Sequence, residues 1–161
     1  MDVYGFAMQM EKDGEAYYRE CAGKSASVGL SRILLMLADA EVMHYELFRR
    51  MSAREEAVLP DSALLDRVKN VFVEIREREG AAGARSSEVE LYRKALDLER
   101  RSWEFYGSAA DKAASPAERL LFERIAVEER RHYRIVEGII DFVSRPEQWL
   151  ENAEWYHLEE Y

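Results

Sequence analysis

The chain has 161 residues and a formal net charge of −9, with 48% hydrophobic and 34% charged residues, enough for one domain with its own core. The acidity argues against a nucleic-acid partner, and no apolar run approaches the ~18 residues of a membrane span. The single cysteine, Cys21, rules out an internal disulfide or a CxxC metal site, and an N-terminus without an apolar stretch makes the cytoplasm the expected compartment.

Helical periodicity runs through the sequence. A first helix places Tyr4, Met8, Glu11, Glu15, Tyr18 and Ala22 on one face, and Ser25 to Gly29 follow as a turn. A second places Leu34, Leu37, Glu41, His44, Phe48 and Met51 on one face, with Leu59-Pro60-Asp61 as its expected breaker. Residues 62–79 read as a separate amphipathic helix, and 80–87 as the loosest stretch, with Ser87 and Glu90 capping the next helix. That third helix aligns Tyr92, Leu96, Glu99, Trp103, Tyr106 and Ala110. Ser115-Pro116-Ala117-Glu118 is a capping box with proline at the first helical position. It opens a fourth helix with Phe122, Ile125, Glu129, His132, Val136 and Ile139 on one face, ended by Pro146. The tail, with Trp149, Trp155 and Tyr156, is expected to pack as a short helix over the bundle.

The second and fourth helices match position by position at an offset of 88, and so do the first and third. Identities include Ala7, Glu11, Tyr18, Ala22, Ser27, Ala38, Glu41, His44 and Tyr45, without a gap, as an internally duplicated helical hairpin requires. The expected organisation is a single domain: hairpin 1 at about 2–52, a crossover at about 53–86, hairpin 2 at about 87–144 and a tail at 145–161. At a rise of 1.5 Å per residue, each lone glutamate and each Glu-x-x-His lie roughly 20–25 Å from their turn, so they end level.

Glutamate and histidine interrupt each apolar stripe where leucine would suffice. In Glu-x-x-His the two side chains project together from one face. Glu11, Glu41, His44, Glu99, Glu129 and His132 would therefore meet at one level. Four buried carboxylates repel one another unless protonated or neutralised, and two divalent ions balance four negative charges. Glu41 and Glu129 are then the natural bridging ligands. Carboxylate with imidazole suits iron or manganese, and zinc would also bind. A hydrogen-bonded polar layer without metal is the plainer alternative.

Met10-Glu11-Lys12-Asp13-Gly14 with Tyr17-Tyr18, Ala40-Glu41-Val42-Met43-His44, Leu98-Glu99 with Phe105-Tyr106, and Glu128-Glu129-Arg130-Arg131-His132 carry a resemblance. Over about residues 4 to 140 the chain resembles the rubrerythrin-like branch of the ferritin-like superfamily. The resemblance implies an all-α, ferritin-like four-helix bundle with a long crossover and a short C-terminal helix. It implies two iron ions, reaction with hydrogen peroxide or dioxygen, oxidative-stress defence and a homodimer. Typical members also carry a four-cysteine rubredoxin domain, absent here, so the electron donor is expected to be a separate protein. They carry a further carboxylate one turn after the third-helix ligand, where this chain has Ser102; Glu15 is a candidate substitute. The alternatives are an iron-handling protein that oxidises Fe(II) without a peroxidase cycle, and a metal-dependent bundle that acts through partners.

Tyr18 and Tyr106, seven residues after the lone glutamates, are candidates for hydrogen bonding to a ligand. Tyr45 and Tyr133 turn about 100° from the histidines and read as packing. Trp103 and the methionines read as core, Cys21 as a small buried thiol, and His157 and Glu128 as solvated.

Overall fold

The computed structural model describes residues 2–79, 86–146 and 149. Its helices are α1 (Val3–Lys24), α2 (Val28–Ser52), α3 (Leu64–Glu74), α4 (Ser86–Asp111) and α5 (Pro116–Ser144), and α3 continues as a π-helical segment over Ile75–Glu79. No strand occurs among the described residues.

Local chemistry sets most of the boundaries. Asp2 caps α1 by accepting the Gly5 N–H at 2.8 Å, and Ser27 caps α2 by accepting that of Leu30. Ser115 caps α5 by accepting the Glu118 N–H, with Pro116 in the first turn, as its sequence predicts. Helix α2 stops at Ser52, where the first hairpin is expected to end and short of the Leu59-Pro60-Asp61 breaker, because Arg54 takes a left-handed conformation (φ 58°) and the Arg54 and Glu55 N–H groups return to the Met51 and Arg50 carbonyls. One boundary differs from expectation. Helix α4 already contains Ser87, so that residue is not its cap. The loose stretch expected at 80–87 falls largely outside the described residues. So does most of the tail, although Trp149 is helical and buried, its ring 5.5 Å from that of Phe72.

The crossover decides the topology. Helix α2 runs away from the first turn, and α3 carries the chain back to it. There Glu79 accepts hydrogen bonds from the Ser27 hydroxyl and the Gly29 N–H. A carboxylate at the start of α2 also complements that helix's dipole. Helix α4 starts at the same end, where Glu88 accepts the Ser25 hydroxyl, and runs down antiparallel to α1. Helix α5 returns. The two hairpins therefore lie head to tail, the first turn at one end and the second at the other.

The apolar stripes converge as the periodicity requires, but into two clusters. One surrounds Ile33, Leu34, Leu37, Val68, Phe72, Ile139 and Phe142. The other surrounds Ala7, Phe48, Tyr106, Phe122 and Ile125. A charged layer lies between them.

Candidate metal centre

Glu11 from α1, Glu41 and His44 from α2, Glu99 from α4, and Glu129 and His132 from α5 make that layer, none more than 4% exposed. They form two overlapping sets, Glu11, Glu41, His44 and Glu129, and Glu41, Glu99, Glu129 and His132. Within each set the potential ligand atoms lie within 4.8 Å of one another. Glu41 and Glu129 belong to both sets, as expected of bridging residues.

The shortest contact of each histidine inside the layer crosses between hairpins. His44 Nδ1 lies 2.9 Å from Glu129 Oε1 and 3.6 Å from Glu11 Oε2. His132 Nδ1 lies 3.3 Å from Glu41 Oε1 and 3.6 Å from Glu99 Oε1. The two imidazoles are nearly parallel, 5.8 Å apart. Tyr18 donates its hydroxyl to Glu99, and Tyr106 donates to Glu11 at 2.5 Å. Each tyrosine thus serves the glutamate of the other hairpin, and the offset of 88 maps one bond onto the other. Both tyrosines are where the sequence put them, seven residues past the lone glutamates.

The layer is electrostatically crowded. Burial, then repulsion from Glu11, Glu129 and Glu99, pushes the Glu41 carboxyl well up. Burial and Glu129 push Glu99 up to about 8. Burial opposes charge on Glu11 and Glu129 too, but the polar groups around them outweigh it and hold both below the ordinary range: Glu41, His44 and Tyr106 around Glu11, and Glu99, His132 and His44 around Glu129. Burial disfavours imidazolium as well, yet Glu11 and Glu99 respectively hold His44 and His132 well above the usual histidine value. Metal-free, the site keeps itself tolerable with protons, which a bound cation would displace.

The other candidates land differently. Glu15 stays out of the layer and pairs with Arg19 at 2.8 Å, because one further turn of α1 carries it about 6 Å along the axis, past the level of Glu11, and about 40° around. Ser102 is half-buried. Glu128 is not solvated: its flexible stem carries the carboxylate back to α2, where Oε1 sits 3.1 Å from His44 Nε2. Burial works against its charge, but the His44 contact holds this carboxyl below its ordinary range. The sequence carried a hint in the extra acid directly before Glu129, and helical angle alone concealed its reach. Gly14 was also missed as a site residue. A Cβ there would stand 3.0 Å from Glu41 Oε2, so a glycine in mid-helix leaves room for a ligand.

Trp103 is half-buried rather than core, stacked edge-on against Tyr133 at 4.9 Å with Arg130 over its ring. Tyr45 lies under Lys12. Met43 is 52% exposed, not core filling. Cys21 is buried, and desolvation pushes its thiol up to about 11, which suits an inert packing residue. His157 lies outside the described residues.

Two cavities approach the layer beneath the crossover. One, of about 620 Å³, runs between Ser62–Asp66 and α5 and reaches His132 and Glu128. The other, of about 150 Å³, lies between α2 and residues 59–64 and reaches His44 and Glu128.

Whether the layer suits metal is answered by its own atoms. Glu11 Oε2, Glu41 Oε1, Glu99 Oε2, Glu129 Oε2 and His132 Nδ1 are buried with no hydrogen-bond partner among the described residues. Five orphaned ligand-type atoms in one layer are costly as a mere polar network, and they are the donor set of an iron, manganese or zinc site. The cluster could hold metal. No helix among the described residues is long and apolar enough to cross a membrane. Neither the curated proteins nor the solved structures contain a match to the chain. The family model Rubrerythrin, however, matches residues 2–140, the bundle with its crossover up to the last turn of α5. The chain belongs to the rubrerythrin family.

Proposed function

We propose that this chain is a di-iron oxidoreductase that reduces hydrogen peroxide in oxidative-stress defence, with electrons from a separate donor protein. The observation that carries it is the pair of overlapping buried ligand sets with Glu41 and Glu129 in common. Glu11 and His44 would complete one metal position, Glu99 and His132 the other. Bound there, two ferrous ions would supply the two electrons that, with two protons, reduce hydrogen peroxide to two waters.

The chain's own residues do the rest. The apolar clusters on either side of the layer keep bulk water away. Tyr18 and Tyr106 orient Glu99 and Glu11 through their hydroxyls. Burial and nearby carboxylates hold both phenols well above the usual value, so they serve as hydrogen-bond donors and not as phenolates. The cavities beneath the crossover have room for peroxide or dioxygen, and one is lined by His132, the other by His44.

A second reading is oxidation of Fe(II) by dioxygen, without a peroxidase cycle. Ser102 favours it, since the further carboxylate of typical family members is missing at that place. Anaerobic Fe(II) titration of the apoprotein, followed by rapid mixing with peroxide or with dioxygen, separates the two. Two irons per chain oxidised much faster by peroxide is the expected result. Preference for dioxygen supports the second reading, and binding well short of two irons defeats both.

A further inference from the structure

Glu128 lies in neither ligand set, yet it holds one ligand. His44 turns Nδ1 toward Glu129 and Glu11, and its other nitrogen, Nε2, toward Glu128 Oε1 at 3.1 Å. The Glu128 side chain is only 14% exposed, so water competes weakly for this contact. A metal-ligating imidazole binds well when the nitrogen away from the metal donates to a carboxylate, which fixes the tautomer, locks the ring and raises its basicity.

The duplicated histidine lacks this support. The residue 88 positions before Glu128 is Ala40, which has no acceptor on its side chain. Among the described residues no carboxylate meets His132 Nε2; the carboxylates around that ring all face Nδ1. Both rings border a cavity beneath the crossover, His132 the larger and His44 the smaller, and Glu128 lines both. In a layer where tyrosines, bridging glutamates and histidines are exchanged symmetrically, Glu128 is the carboxylate that breaks the symmetry.

We propose that Glu128 is a positioning residue for His44 and makes the two metal positions unequal, the Glu11–His44 position being the tighter. The inference rests on the metal-binding reading above. It assigns an order of filling: the first ion enters beside His44, the second beside His132.

Co(II) titration of the apoprotein, followed by visible absorption, tests it without any turnover. The wild type is expected to take two ions per chain in two resolved steps. In Glu128→Ala the tighter step should weaken roughly 10–100-fold while the other holds, still with two ions bound. Glu128→Gln, which keeps an acceptor oxygen, should recover most of the loss, whereas Glu128→Met, which fills the same space without one, should not; a packing defect would be repaired by both. A second measurement needs no variant. In the Zn(II)-loaded wild type with ¹⁵N-labelled histidine, the His44 Nε2 proton should exchange with water more slowly than that of His132. Two equal steps in the wild type, an alanine variant that titrates like the wild type, or equal exchange at both histidines would overturn the proposal. Fewer than two ions in the wild type would instead overturn the metal reading beneath it.

Discussion

The two inter-helix turns share a pattern and differ in their surroundings. Ser27 caps α2 as Ser115 caps α5, and the Ala26 and Ala114 N–H groups each reach a glutamate oxygen. The glutamates come from different places. The second turn is served by Glu118 of its own helix, which also accepts the Tyr4 hydroxyl. The first turn is served by Glu88 of α4 and Glu79 of the π-helical segment, because the crossover folds over it. Between the turns, the ligand layer has stayed nearly symmetric. A duplicated unit can thus diverge at its ends, where each meets a different neighbour, while its middle is held by a constraint common to both halves.

Three changes probe that contrast. The largest effect is expected at the shared carboxylates. Glu129→Ala and Glu41→Ala should each take metal stoichiometry from two ions to near none, whereas Glu11→Ala and Glu99→Ala should each leave about one, as read by metal analysis after desalting. An equal loss from all four would show that the sets are not divided as the geometry divides them.

Next comes the pH dependence of the metal-free protein. Glu99 is held up to about 8 from an ordinary 4.5, so the folded state keeps a proton that the unfolded chain gives up across that window. Glu41, His44 and His132 are raised too and act with the same sign. Stability should therefore fall as pH rises from about 5 to 8. Glu11 and Glu129, held low, oppose this only at pH values below their ordinary range. Thermal melts of the apoprotein across this range should show the decline, and loading with Zn(II) should flatten it, since the ions displace the protons.

The smallest effect separates the turns themselves. A Cβ at Gly29 would fall 2.3 Å from Ile75 Cγ1, so Gly29→Ala should cost about 1–3 kcal/mol. The corresponding residue, Ala117, is exposed, and Ala117→Gly should cost under about 1 kcal/mol. Denaturant unfolding of both variants gives the comparison directly.

Much of this was legible in the sequence because it rests on period and offset. The stripes announced four bundle helices, and the offset of 88 singled out six polar interruptions that the fold brings into one layer. What escaped depends on reach or on backbone detail. Glu128 stands off the stripe, and only a long side chain meeting the neighbouring helix brings it to His44. Helix α2 is closed just past Ser52 by a left-handed arginine, Arg54, at a position that glycine usually marks, so the means of its ending is not written in the sequence although its place is. The π-helical turn over Ile75–Glu79 has no pattern of its own; its signature is the bond from Gly29 to Glu79, fifty residues distant in sequence.

The exchanged tyrosines and histidines carry a mechanical consequence. Neither hairpin owns a complete binding position: Tyr106 and Glu129 complete what Glu11 and His44 begin, and Tyr18 and Glu41 complete what Glu99 and His132 begin. A bound ion would therefore act as a rivet between the two halves of the chain: parting the hairpins would open both positions together, so each ion bound would oppose the separation that exposes the other.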